Sequence, residues 1–126
     1  MKGVQQLARI LIVEDELLIS MMLEDWLTEI GHQAVGPAAT VEHALALIES
    51  EALDAVILDY NLRGQRADPV AEVLSARGVP FAISSGEYSE SLREQGADLP
   101  MLAKPYDFAM LQRVVDALIT RIQTCD

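Results

Sequence analysis

Residues 55–62 read Ala-Val-Ile-Leu-Asp-Tyr-Asn-Leu, a short apolar run that ends on an acid, Asp59. A run of this length, bounded by polar residues, reads as a buried strand. The same arrangement recurs along the chain. Ile10-Leu-Ile-Val13 ends on Glu14-Asp15, Phe81-Ala-Ile83 leads to Ser85, and Met101-Leu-Ala103 ends on Lys104-Pro105. Each apolar run delivers chemically capable residues at its carboxyl end, the edge on which open α/β sheets build their sites.

Between these runs the period changes. Ile19, Leu23, Trp26, Leu27 and Ile30 recur at helical spacings, and Gly31 marks the stop. A weaker strand, Gln33–Val35, is expected to end at Gly36-Pro37. Thr40 is placed as the N-cap of a helix whose stripe is Val41, Ala44, Leu45 and Ile48. Asp68-Pro69 reads as an N-cap followed by proline at the first helical position, with Val70, Val73 and Leu74 facing inward and Gly78 at the end. Pro80–Ser84 and Leu99–Ala103 are the fourth and fifth strands. Asp107 caps a last helix with Phe108, Leu111, Val115, Leu118 and Ile122 on its inner stripe. The stretch Glu-Tyr-Ser-Glu-Ser-Leu-Arg-Glu-Gln-Gly-Ala-Asp, residues 87–98, has little apolar period, so the fourth helix is expected to be short or irregular.

The pattern is (βα)5, with continuous apolar strands that call for a parallel sheet covered on both faces. The predicted architecture is a flavodoxin-like, doubly wound α/β domain with strand order 2-1-3-4-5. Strands 1 and 3 then meet at the switch point and bring Glu14, Asp15 and Asp59 together.

A length of 126 residues is one domain's worth, and 1–126 is read as a single domain with no output domain. No apolar stretch approaches the roughly 20 residues needed to span a bilayer, and the N-terminus lacks a signal-peptide core. Cys125 is the only cysteine, which excludes a disulfide framework and a cysteine metal site. The expected location is cytoplasmic. Nine Lys and Arg against 20 Asp and Glu give a formal charge of −11, a surface that repels nucleic acid and anionic lipid.

Carboxylates about 4 Å apart repel by roughly 4 kcal/mol at an effective dielectric near 20, so three together call for protons or a cation. A hard divalent ion such as Mg²⁺ takes one or two carboxylates together with waters and phosphate oxygens. Lys104 is a compact charge suited to a phosphoryl oxygen, and a serine hydroxyl can donate to another; Ser84 or Ser85 could point into the site, and the Gly86 that follows favours Ser85. A carboxylate in that setting is a competent nucleophile toward phosphorus.

The set Val13-Glu14-Asp15-Glu16, Leu58-Asp59-Tyr-Asn61, Ser85-Gly86 and Lys104-Pro105 resembles the CheY-like receiver domain of two-component response regulators, in order and over essentially the whole chain. The resemblance implies that Asp59 accepts a phosphoryl group from a sensor histidine kinase or a histidine phosphotransfer protein. It implies Mg²⁺ ligation by Asp15, Asp59 and the Asn61 backbone carbonyl, with Glu14 acting through water. Ser85 and Lys104 would bind the phosphoryl group, and the Lys104–Pro105 peptide would be cis. Such a protein promotes only its own phosphorylation and dephosphorylation, transforms no external substrate, and signals to a downstream protein target through altered contacts. Ile83-Ser-Ser-Gly-Glu-Tyr88 is further similar to the Phe-Ala-Thr-Gly-X-Tyr signature of an alphaproteobacterial single-domain subgroup (FATGUY) linked to HWE/HisKA2 kinases.

Two departures stand out. Receivers usually carry an aromatic residue three positions before the lysine, where this chain has Met101, so Tyr88 is expected to take over the switch role. The short fourth helix also removes part of a common contact surface. Two other readings remain open at this point. A phosphorylation-independent pseudo-receiver is kept alive by Met101 and the irregular fourth helix. An aspartyl-phosphate phosphohydrolase would need an aspartate two residues after the nucleophile, where this chain has Asn61. Trp26 is assigned to the core, and His32 and His43 to the surface.

Overall fold

The computed structural model describes residues 8–85, 101–103 and 106–124. Five strands, β1 (Arg9–Val13), β2 (Gln33–Ala38), β3 (Ala55–Asp59), β4 (Phe81–Ser85) and β5 (Met101–Ala103), form one parallel sheet in the order β2-β1-β3-β4-β5. Residues 55–59 are buried throughout, as expected of the central strand of a sheet covered on both sides.

Alternation along the strands sorts the core into two layers. Leu11, Val13, Val56, Leu58, Phe81 and Ile83 face helices α2 (Val41–Ser50) and α3 (Asp68–Arg77). Ile10, Ile12, Ala55, Ile57 and Ala82 face α1 (Leu17–Ile30) and α4 (Phe108–Thr124). The predicted stripes supply the inner faces: Val41, Ala44 and Ile48 from α2, Leu23 and Leu27 from α1, and Leu111, Val115 and Leu118 from α4. This is the doubly wound α/β sheet read from the sequence.

Local chemistry accounts for the ends of the elements. Thr40 Oγ1 accepts from the His43 N–H at 3.0 Å, and Asp107 Oδ1 accepts from the Met110 N–H at 2.9 Å. Gly31 and Gly78 close α1 and α3 in the left-handed conformation.

Two boundaries differ from expectation. Strand β2 does not stop at Val35. It continues to Ala38 through a cis Gly36–Pro37 peptide, with a register shift against β1. As the edge strand, β2 needs ladder bonds on one side only and so tolerates a proline. Helix α3 is capped at Ala67 rather than Asp68. The Ala67 N–H donates to the Tyr60 carbonyl at 2.8 Å, which makes it the turn residue, and the Asp68 carboxylate pairs with Arg66 at 3.1 Å instead of capping. The expected short or irregular fourth helix falls outside the described residues, as do residues 99–100 of the expected fifth strand and the Lys104–Pro105 peptide.

A small antiparallel ribbon, Asn61–Leu62 against Gln65–Arg66, was not anticipated. Its two-residue turn places both Arg63 (φ 52°) and Gly64 (φ 82°) at positive φ, the geometry whose twist suits a tight hairpin.

Candidate functional site

The carboxyl edge of the sheet is assembled by short backbone ties. Glu14 follows β1 directly, and its N–H donates to the Ala38 carbonyl at 2.9 Å, so the extension of β2 helps to hold the first acid. Its Oε2 accepts from the Glu16 N–H at 3.1 Å. Asp59, the last residue of β3, lies in register with Ser84 of β4, and its Oδ1 accepts from the Asn61 N–H at 3.3 Å. The Asp15 Oδ2 accepts from the Arg63 N–H at 3.0 Å, which draws the tip of the ribbon against the first loop.

One carboxylate oxygen from each of Glu14, Asp15 and Asp59 lies within 4.8 Å of the others. Glu14 and Asp59 are 3% and 4% exposed, while Asp15 is half-buried. Like charges at that separation repel by roughly 3–4 kcal/mol per pair at an effective dielectric near 20. Burial raises the cost for Glu14 and Asp59 further. The donor set is all oxygen, with one face open to water, which suits a hard divalent cation that keeps part of its hydration shell.

The structure thus brings together Glu14, Asp15 and Asp59, with Asn61 adjacent through its backbone. Ser85 closes β4, opposite Ala103 of β5; its side chain, like that of Met101, is outside the described residues. Lys104, Tyr88 and Cys125 also lie outside them. His43 is exposed as expected. Trp26 is half-buried at the margin of the α1–α4 layer rather than fully in the core, edge-on to Tyr106 at 6.5 Å and Phe108 at 5.9 Å.

His32 is not a bare surface residue. It is half-buried, and its Nδ1 accepts from the Ala8 N–H at 3.2 Å, which requires that nitrogen to be unprotonated. Burial lowers its pKa below 6.5, with Asp116 and Asp54 acting in the opposite sense. Sequence reasoning also missed the contact of the Arg63 amide with Asp15. The available signal was the pair Arg63-Gly64 between Leu62 and Gln65, a two-residue turn containing glycine.

No protein-family model matches the chain. Individual relatives do. The solution structure of SdrG from Sphingomonas melonis Fr1 is 44% identical, with a TM-score of 0.81, covering 92% of this chain and 99% of that one. The PhyR response-regulator receiver domain from Erythrobacter litoralis is 30% identical, with a TM-score of 0.79 and coverage of 90% and 91%. The chain belongs to the CheY-like receiver domains of response regulators. The transcriptional regulatory protein PdtaR of Mycobacterium tuberculosis is 33% identical over 120 residues, 91% of this receiver, which spans only 58% of PdtaR's length. The receiver's acidic cluster sits at the carboxyl ends of β1 and β3, on the two sides of the switch point.

Proposed function

We propose that residues 1–126 form one receiver domain that takes a phosphoryl group on Asp59 and signals by changing its protein contacts. The observation that carries this reading is the convergence of Glu14, Asp15 and Asp59 oxygens within 4.8 Å at the carboxyl edge of the sheet. The donor is a sensor histidine kinase, of the HWE/HisKA2 type on the likeness of Ile83–Tyr88 to the FATGUY signature, or a histidine phosphotransfer protein. The target is another protein. The charge of −11 weighs against direct nucleic-acid contact. Among the described residues no helix is long and apolar enough to cross a membrane, which fits a cytoplasmic role.

Asp15, Asp59 and the Asn61 carbonyl would hold Mg²⁺, with Glu14 orienting water around it. When bound, the ion supplies charge neutralisation for the carboxylates and the phosphoryl oxygens. The chain's own residues do the rest. Burial and the Asn61 amide hold the Asp59 carboxylate in place while one of its oxygens attacks phosphorus and the donor's bond breaks. Ser85 and Lys104 are assigned to the phosphoryl oxygens by the receiver motif. A macromolecular donor reaching Asp59 must also cover the start of α1, where Leu17, Leu18 and Met21 are exposed and offer an apolar landing surface beside the acids.

The decisive experiment is the intact-protein mass after incubation with acetyl phosphate and Mg²⁺. One added phosphate is expected on the wild type, and none on Asp59→Asn or without the metal. SdrG takes up a beryllofluoride-activated conformation, and the same is expected of this chain. A wild type that neither gains phosphate nor binds beryllofluoride would overturn the reading and leave a receiver that works by binding alone.

A further inference from the structure

Two serines are fully buried among the described residues, and only one of them is satisfied. The Ser20 hydroxyl, 1% exposed, donates to the Leu17 carbonyl at 2.8 Å, the usual solution inside a helix. Ser84, also 1% exposed, lies on a strand, where no such carbonyl lies beneath the side chain, and its Oγ has no hydrogen-bond partner. A hydroxyl kept in that position at the expense of its hydration calls for a reason.

Its place in the sheet supplies one. Ser84 is the register partner of Asp59 in the parallel pair β3–β4. Ala82 and Ile57 belong to the α1–α4 layer, and alternation by two puts Ser84 and Asp59 on that same side. Neighbouring strands run about 4.8 Å apart, so a serine and an aspartate in register on one face need only a rotamer change to meet. The two backbones are already coupled, since the Tyr60 N–H, next after Asp59, donates to the Ser84 carbonyl at 3.0 Å.

We propose that Ser84 is a positioning residue for the phosphoacceptor, its hydroxyl donating to the Asp59 carboxylate oxygen that does not attack. In the transfer the attacking oxygen forms a new P–O bond, the bond from phosphorus to the donor breaks (P–N in a phosphohistidine, P–O in acetyl phosphate), and the leaving group departs with that electron pair. The other oxygen becomes the carbonyl of the acyl phosphate. Unpartnered at rest, Ser84 turns to donate to that oxygen as phosphorus approaches and keeps the bond after transfer, and so directs the opposite oxygen outward to the incoming phosphorus. The inference rests on Asp59 being the phosphoacceptor.

The test compares wild type, Ser84→Ala and Ser84→Thr in two measurements, the rate of phosphate gain from acetyl phosphate with Mg²⁺ by intact mass, and stability by urea unfolding. Loss of a hydrogen bond to a charged group is expected to slow Ser84→Ala by about tenfold or more, with stability equal to or above wild type because an orphaned hydroxyl is gone. Ser84→Thr, which restores the hydroxyl, is expected to recover rate relative to Ser84→Ala even where its extra methyl lowers stability. Equal rates for wild type and Ser84→Ala overturn the role of Ser84 while leaving Asp59 intact as acceptor. A wild type that gains no phosphate overturns the acceptor reading itself, and the role of Ser84 with it.

Discussion

At the residue scale, Asp15 offers the clearest separation of charge from shape. Its Oδ2 accepts the Arg63 amide, and its charge adds to that of two buried neighbours. Asp15→Asn keeps the acceptor and removes the charge. Without divalent ions this variant is expected to be more stable than wild type by about 1–3 kcal/mol, since the repulsion is relieved. Mg²⁺ should then raise the melting temperature of wild type but scarcely that of the variant, as read by thermal unfolding with and without the ion. His32 gives a pH signature. Its folded pKa is lowered below 6.5, so the unfolded chain binds the proton more readily. Its contribution to stability is fully present above pH 6.5 and is lost as pH falls from there toward the folded value. Urea unfolding between about pH 7.5 and 5.5 should show this slope in wild type and less of it in His32→Asn, which retains an acceptor for Ala8 but does not titrate.

At the scale of elements, the helix stripes and their stops were legible because they depend on neighbours three and four residues away. Thr40, Asp107, Gly31 and Gly78 act where the sequence placed them. The errors came where a distant partner competed. Pro37 reads as a strand breaker, yet β2 is an edge strand and runs on through it. Asp68 reads as a cap, yet Arg66 and the Ala67–Tyr60 bond take over at that turn. Gly36 and Gly78 provide a graded test. Both have positive φ, but a Cβ on Gly36 would lie 3.0 Å from the Ala38 nitrogen and 3.1 Å from the Ile12 carbonyl, whereas Gly78 has nothing within 4 Å. Gly78→Ala is expected to cost about 1 kcal/mol from backbone strain alone. Gly36→Ala should cost at least about 2 kcal/mol, because backbone atoms cannot move aside as side chains do. Urea unfolding of the two variants reads the difference, and equal losses would remove the steric explanation.

For the molecule as a whole, the charge of −11 is spread over a domain in which, among the described residues, the concentrated acidic cluster sits at the sheet edge. Duplex DNA should not bind more tightly than about 10⁻⁴ M at physiological salt, the weak end of non-specific binding. Fluorescence anisotropy with a labelled duplex measures this directly. By itself the sequence determined the class of the fold, the strand order and the edge on which the acids gather. Those follow from apolar period, glycine stops and the rule that parallel strands are buried on both faces. Only the tertiary structure decided that the Arg63 amide would reach Asp15, that His32 would hold Ala8, and that Ser84 would lie beside Asp59 with its hydroxyl unsatisfied. Each of these joins residues 24 or more positions apart, or depends on the register between strands. Period and punctuation carry no information about such pairings; the packing of the sheet does.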